Sequence, residues 1–377
     1  MRPEKAILVL DNSGSWRVKA GFAGDNEPSV IFPSIVGRRK DYGICLLGAQ
    51  NLKDVYVGDE VTANMHRDLV LKHPTENALV RHWDDMEKVW QHALYNELKA
   101  EPEEHPLLMV DRVDHGRDSS REMATQIVFE SFNVPSFYPV YAEVLSVLAS
   151  GRTTGLDIHS GDAFTSFTPV YEGIALRHRP NQSQFGGLDM TAYLQKCLSW
   201  NGHEVDAEVA KDIKERLCYV PPDYSNEFST GAAYKGQPYT LPDGRVITVA
   251  DERIRPPQML FEGMSASEEA HCSAVNMIYR CIEFIRADLA ANVVLSGGSM
   301  RFPGIVDRMR SEMQDRADPK WGPVKVVRLD EGKYPAWTGG SLLASLSTFS
   351  QMAISAAEYN ETGPSIVNRK CISAVME

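Results

Sequence analysis

Apolar positions recur along this chain with two different periods. Short unbroken runs, Ala6 to Leu10, Leu107 to Val110 and Val293 to Leu295, end in small polar residues and predict buried strands. Over 79–98 the apolar residues Leu79, Val80, Trp83, Met86, Val89, Trp90, Ala93, Leu94 and Leu98 follow helical spacing, so the stripe predicts a core-facing helix. Further helices are expected at Ser119 to Phe132, Val140 to Ala149, Met190 to Trp200, Ala207 to Tyr219 and Ser267 to Ala290, with a buried one at Trp337 to Phe349. Tyr239 to Val249 reads as a hairpin turning at Pro242, Asp243 and Gly244. Strands alternating with helices imply an α/β architecture.

One pattern occurs twice. Gly155 to Gly173, GLDIHSGDAFTSFTPVYEG, is an apolar run, a Ser-Gly-Asp turn and a second apolar run. Ile7 to Gly24, ILVLDNSGSWRVKAGFAG, repeats the plan with Asp11 entering a Ser-Gly-Ser turn, where the central copy has His159. A third glycine turn follows the strand in VVLSGGSMRFPG, Val293 to Gly304. Hairpin tips of this kind offer backbone N–H groups, a carboxylate and close backbone approach, the ingredients of a phosphate cradle. An ordinary hairpin has the same appearance, and the duplication is what favours the cradle. It suggests two related halves facing each other across a cleft.

At 377 residues and 42.0 kDa the chain is long enough for two core-bearing units. Lys plus Arg number 39 against 51 for Asp plus Glu, giving a net charge of −12. That balance argues against broad binding to nucleic acid or an anionic membrane, while leaving room for a local basic cleft. The cysteines, Cys45, Cys197, Cys218, Cys272, Cys281 and Cys371, show no metal-ligand spacing and are expected to be reduced thiols. No apolar segment reaches transmembrane length, and no secretory address is expected.

The residues also carry a resemblance. WDDMEKVW at Trp83 to Trp90, YNEL at Tyr95 to Leu98, EEHPLL at Glu103 to Leu108, ASGRTTG at Ala149 to Gly155 and DIKERLCYV at Asp212 to Val220 resemble the actin family. So do LPDGRVIT at Leu241 to Thr248, GGSLLASLSTF at Gly339 to Phe349 and GPSIVNRKC at Gly363 to Cys371. The resemblance spans nearly the whole chain. It implies the fold shared by actin, Hsp70 and sugar kinases: duplicated ribonuclease-H-like halves around a central cleft for ATP or ADP and, as a weaker expectation, Mg2+. The halves are expected at 1–150 with 336–377, carrying a small mobile insertion about 34–73, and at 151–335, carrying one about 186–266.

By position the resemblance gives Gly14, Ser15 and Lys19 to a first phosphate loop and Ser160, Gly161 and Asp162 to a second. Asp11 becomes the cation-side carboxylate. Gly187, Lys214, Glu215, Gly297, Gly298, Ser299, Phe302 and Lys333 fall where the nucleoside is held.

Departures from the family pattern shape the functional expectation. His159 stands where the family has an aspartate serving the cation's water shell, Ala142 where it has a water-orienting glutamine, and Ser166 where it has a histidine. Imidazole is a poor ligand for magnesium. Losing these groups together predicts a feeble or absent ATPase, with Glu143 the one candidate surrogate carboxylate. His159 itself reads as a neutral hydrogen-bonded residue. Trp16 and an extra residue disturb the first loop, and Arg301 replaces a methionine near the base, so nucleotide binding is expected to be weaker than in the family.

Tyr42 to Asn51 keeps the length of the family's mobile subunit-contacting loop with most residues changed, and Phe261 to Ala270 has lost a bulky apolar tip, which should weaken a long filament. Leu343, Leu346 and Met352 resemble a groove that takes partner helices, or equally a core helix. The favoured expectation is a divergent actin-like structural subunit of a cytoskeletal assembly. The alternative is a polymerising, ATP-hydrolysing actin of a divergent lineage; a sugar kinase on the same fold is a third reading that the quoted motifs oppose.

Overall fold

The computed structural model describes residues 6–14, 16–39, 53–62, 69–76, 79–112, 118–176, 182–262, 274–329, 334–371 and 374–375. The chain forms two compact units, one from residues 1–149 with 332–374 and the other from 150–331 with 375–377.

In the first unit a six-stranded sheet runs in the order Ile354–Ser355, Ser136–Tyr141, Leu107–Asp111, Leu8–Asp11, Arg17–Phe22, Val30–Pro33. The apolar run at the N-terminus becomes the strand Leu8–Asp11, buried along its whole length, because neighbours bond to both of its edges. It pairs antiparallel with Arg17–Phe22, Asp11 opposite Lys19, and parallel with Leu107–Asp111. The helix Pro335–Ala344 packs on this sheet through Trp337, which is fully buried and donates from its indole Nε1 to the Val9 carbonyl at 3.2 Å.

The second unit repeats the plan. Val326–Arg328, Val293–Ser296, Gly155–Ser160, Thr165–Tyr171 and Ile174–Leu176 lie in that order, with Gln182–Ser183 also paired to Thr165–Tyr171. Gly155–Ser160 is antiparallel to Thr165–Tyr171 and parallel to Val293–Ser296, the same relations Leu8–Asp11 has in the first unit. Around this sheet pack the helices Gly187–Trp200, Ala207–Leu217, Glu283–Ala290 and Ile305–Arg316.

Several elements differ from the sequence reading in extent. The helix expected over 79–98 begins at Trp83, because Leu79–Val80 is taken by a two-residue strand paired to Thr75–Glu76, and beyond Gln91 it widens into a π-helical turn, His92–Glu97. Val140 and Tyr141 end the strand Ser136–Tyr141, so the helix behind them starts at Ala142. Of the helix expected at 267–290, residues 267–273 lie outside the described residues and the rest is interrupted: Ala274–Arg280 and Glu283–Ala290 are separate, with the Cys281 N–H bonded back to Ile278 O at 3.1 Å. The helix expected over 337–349 ends at Ala344, and Leu342 and Leu346 are exposed at 54% and 53%. The Tyr239 to Val249 hairpin forms as expected from Gln237–Thr240 and Val246–Val249.

Candidate functional site in the two hairpin turns

In the first unit the turn after Leu8–Asp11 is organised by a carboxylate that accepts from both Ser13 and Lys19. Asp11 is 1% exposed. Its Oδ1 accepts from the Ser13 N–H at 2.9 Å and the Ser13 hydroxyl at 2.6 Å, and its Oδ2 takes the Lys19 ammonium at 2.8 Å. This arrangement follows from strand register, which sets Asp11 directly across from Lys19. Lys19 also lies 5.8 Å from the centre of the Tyr334 ring. A methyl group on Gly14 would make ordinary contact with the Arg17 carbonyl oxygen at 3.8 Å, and Trp16 leaves the turn to stack on His73 at 5.4 Å with 25° between ring planes. His73 in turn bonds through Nδ1 to the Ser34 carbonyl at 2.9 Å.

Behind this turn stands a charge pair that sequence reasoning missed in part. Arg112 follows the strand Leu107–Asp111 and donates from Nη1 to the Ser13 carbonyl at 3.3 Å. Its Nη2 lies 3.6 Å from Glu143 Oε1, with the two side chains 13% and 3% exposed. Glu143, the surrogate carboxylate of the sequence reading, is thus buried on the first turn of the helix Ala142–Ala149 and paired with a guanidinium. Ala142 is buried beside it. The signal for Arg112 was a charged pair, Asp111 and Arg112, directly after the apolar run Leu107 to Val110.

In the second unit the corresponding turn is organised through hydroxyls. His159 bonds through Nδ1 to Ser296 Oγ at 3.0 Å, and Ser296 Oγ donates to Asp157 Oδ2 at 3.2 Å, which ties the imidazole to a fully buried carboxylate through a hydroxyl. Ser166 lies across the ladder from His159, with its Oγ buried and lacking a hydrogen-bond partner among the described residues. Ser160 bonds with Thr165 Oγ1 at 2.9 Å. Gly161 N–H closes the turn on Phe164 O at 3.0 Å.

Beyond the turn a small cradle forms. The N–H groups of Gly187 and Leu188 donate to Gly161 O and Asp162 O, both at 2.9 Å, which docks the start of the helix Gly187–Trp200 onto the hairpin. A methyl group on Gly187 would sit 2.8 Å from Asp162 Oδ1, 3.1 Å from Ser299 Oγ and 3.2 Å from Lys214 Nζ, so Asp162, Ser299 and Lys214 converge on this glycine. Lys214, on the helix Ala207–Leu217, is 5% exposed and donates to Gly187 O at 2.7 Å and Thr191 Oγ1 at 2.8 Å. Burial strips water from its ammonium and pushes its pKa down, while the charges of Asp162 and Glu215 oppose the shift. Gly297 has φ +88°, and a side chain there would reach 2.2 Å from Ser160 O, so only glycine suits this crossing.

A model of the actin family matches residues 2–208 and 199–372. The chain belongs to the actin family. Its α/β, two-unit fold accords with that membership. Actin-family proteins generally bind a nucleotide with Mg2+ and are typically cytoskeletal. No helix among the described residues is long and apolar enough to cross a membrane.

Of the positions carried over from the actin resemblance, the structure gathers Asp11, Gly14 and Lys19 in the first unit and Ser160, Gly161, Asp162, Gly187, Lys214, Gly297 and Ser299 in the second. Gly298 is exposed beside this group, Glu215 points to solvent, and Phe302 is a core side chain at 6% exposure. Ser15 and Lys333 lie outside the described residues, as do Tyr42 to Asn51 and most of Phe261 to Ala270. Arg301 is exposed, its carbonyl accepting from Arg328 Nη1 at 3.2 Å.

Magnesium requires oxygen ligands with lone pairs to give. Both Asp11 oxygens are already committed, one to Ser13 and one to a lysine ammonium at salt-bridge distance, and His159 offers a nitrogen tied to Ser296. Among the described residues this is a weak donor set for a resident divalent cation: one carboxylate already accepting three hydrogen bonds, and an imidazole.

Proposed function

We propose that this actin-family chain is a structural subunit of a cytoskeletal assembly that binds ATP or ADP and hydrolyses ATP weakly or not at all. The observation that carries the reading is the fate of the hydrolytic positions. A positioned water needs a group with a free lone pair beside it. Ala142 has no polar group, His159 is tied through Nδ1–H to Ser296 and has only its other ring nitrogen in place of a carboxylate, and Glu143 is buried against Arg112. Support for nucleotide binding comes from the cradle at Gly187 and from Lys19 and Lys214, cations held at two glycine-rich turns. A cytoplasmic, cytoskeletal address is part of the same proposal. So is an apolar partner site at Leu343, Leu346 and Met352, supported by the exposure of Leu346 and the adjacent Leu342.

The test is the nucleotide released by denaturing freshly purified protein, resolved by anion exchange, together with sedimentation under polymerising salt and magnesium. Stoichiometric ATP with no pelleted filament is the expected result. ADP as the main nucleotide with a robust filament pellet would instead establish the polymerising ATPase, and an empty protein that takes up no added nucleotide would overturn the binding reading.

A further inference from the structure

We propose that a cavity in the first unit, lined by none of the turn residues, binds a small phosphate monoester that carries hydroxyl groups. The cavity has a volume of about 460 Å³ and lies among Arg38, Lys72, Arg81, His82, Trp83, Asp84 and Asp85. That volume falls within the roughly 300–1,000 Å³ of small-molecule sites, more than a bare phosphate would fill. The proposal is independent of the nucleotide-binding reading above.

Three stretches of chain build the cavity. In the antiparallel ladder of Val36–Arg39 with Leu69–Lys72, Val36 lies opposite Lys72 and Arg38 opposite Val70, which sets Arg38 and Lys72 on one face of the small sheet. The N–H groups of Arg81 and His82 both donate to Pro74 O, at 2.9 and 3.2 Å, and so fix the segment that follows the sheet. The helix Trp83–Gln91 then begins, and its buried Asp85 takes the Arg38 guanidinium. This pair ties the sheet to the helix and cancels two of the charges around the cavity.

What remains is an excess of cation. Among the described residues the side chains of Lys72, Arg81 and His82 have no hydrogen-bond or ion-pair partner, and the one carboxylate left beside them is the exposed Asp84. In a chain of net charge −12, unpaired cations gathered on one cavity match an anion supplied from outside. Phosphate suits them, since arginine offers a planar fork to its oxygens and lysine a mobile point charge. The half-buried Trp83 gives the carbon part of the ligand an aromatic wall, and Asp84 can accept from its hydroxyl groups. The same carboxylate repels a second phosphate, which favours a monoester over a polyphosphate.

The experiment is calorimetric titration of the full chain with glycerol 3-phosphate and, separately, with inorganic phosphate. Saturable binding of the ester at one site is expected, about fivefold or more tighter than that of inorganic phosphate. Lys72→Ala combined with Arg81→Ala alters two exposed positions that the fold should tolerate, checked by circular dichroism, and should weaken the ester by about tenfold or more. Asp84→Asn should narrow the preference for the ester by relieving the repulsion of phosphate. No saturable binding, equal affinity for the two probes, or an unchanged affinity in the folded double variant would overturn the proposal.

Discussion

The two hairpin turns share a strand order and differ in charge. In the first unit Asp11, Lys19, Arg112 and Glu143 place two anions and two cations around Ser13. In the second unit the turn proper holds a serine, a glycine, an aspartate and a histidine linked by hydroxyls, and its cation, Lys214, arrives from a distant helix. The strand relations are the same in both. A duplicated backbone plan therefore fixes where turns occur, whereas the side chains that point into them decide what each can bind or catalyse. The second turn has His159 on its strand, bonded to Ser296, where the first has Asp11 bonded to Lys19.

The comparison breaks most severely at Gly297. Gly297→Ala forces a side chain to 2.2 Å from Ser160 O at φ +88°, and a stability loss of roughly 2–4 kcal/mol is expected, measured by chemical denaturation, together with loss of nucleotide binding. An unchanged midpoint would mean that the second turn is not held by this crossing. Restoring the missing groups sharpens the contrast from the other side. His159→Asp with Ala142→Gln is expected to raise phosphate release from ATP by roughly tenfold to a hundredfold, read in a single-turnover assay. No change in that variant would place the defect elsewhere, at Trp16 and its stack on His73.

Lys214 offers a test by pH. Its folded pKa lies below the ordinary 10.5 because burial disfavours the ammonium, so the unfolded chain binds more protons in the window just under 10.5. Stability should rise as pH increases through that window, and Lys214→Met should remove the rise; a thermal midpoint series for both proteins checks it. The smallest effect is expected away from both turns, at Glu358, as a reference within the first unit. Hydrogen bonding from Lys370, then from Ser355, holds its carboxyl down to about 2. Its contribution should be present above 4.5 and fade as pH falls toward about 2, so the difference between the unmodified chain and Glu358→Gln should vanish in strong acid. The pair is partly exposed, and water screening should keep the difference at neutral pH slight.

Much of this was legible in the residues. Unbroken apolar runs ending in small polar residues marked Leu8–Asp11, Leu107–Asp111, Gly155–Ser160 and Val293–Ser296, because a strand bonded on both edges and covered on both faces must be apolar throughout. Helix limits were less legible. Leu79 and Val80 fit a helical stripe equally well as a strand, and only their pairing with Thr75 and Glu76 decides it. Lys214 shows the same limit at the site: alone it reads as a solvated lysine, and its burial follows from the helix Gly187–Trp200 supplying Gly187 O and Thr191 Oγ1.

What the sequence by itself determined was the family, the paired turns and the identity of the altered positions, since these depend on local pattern and residue type. Tertiary structure alone decided their chemistry. Glu143 became a counterion because the chain 31 positions earlier brings Arg112 to it, and Asp11 is paired with a lysine because register sets Lys19 opposite. Charge acts through distance and burial, and neither is written in the order of residues.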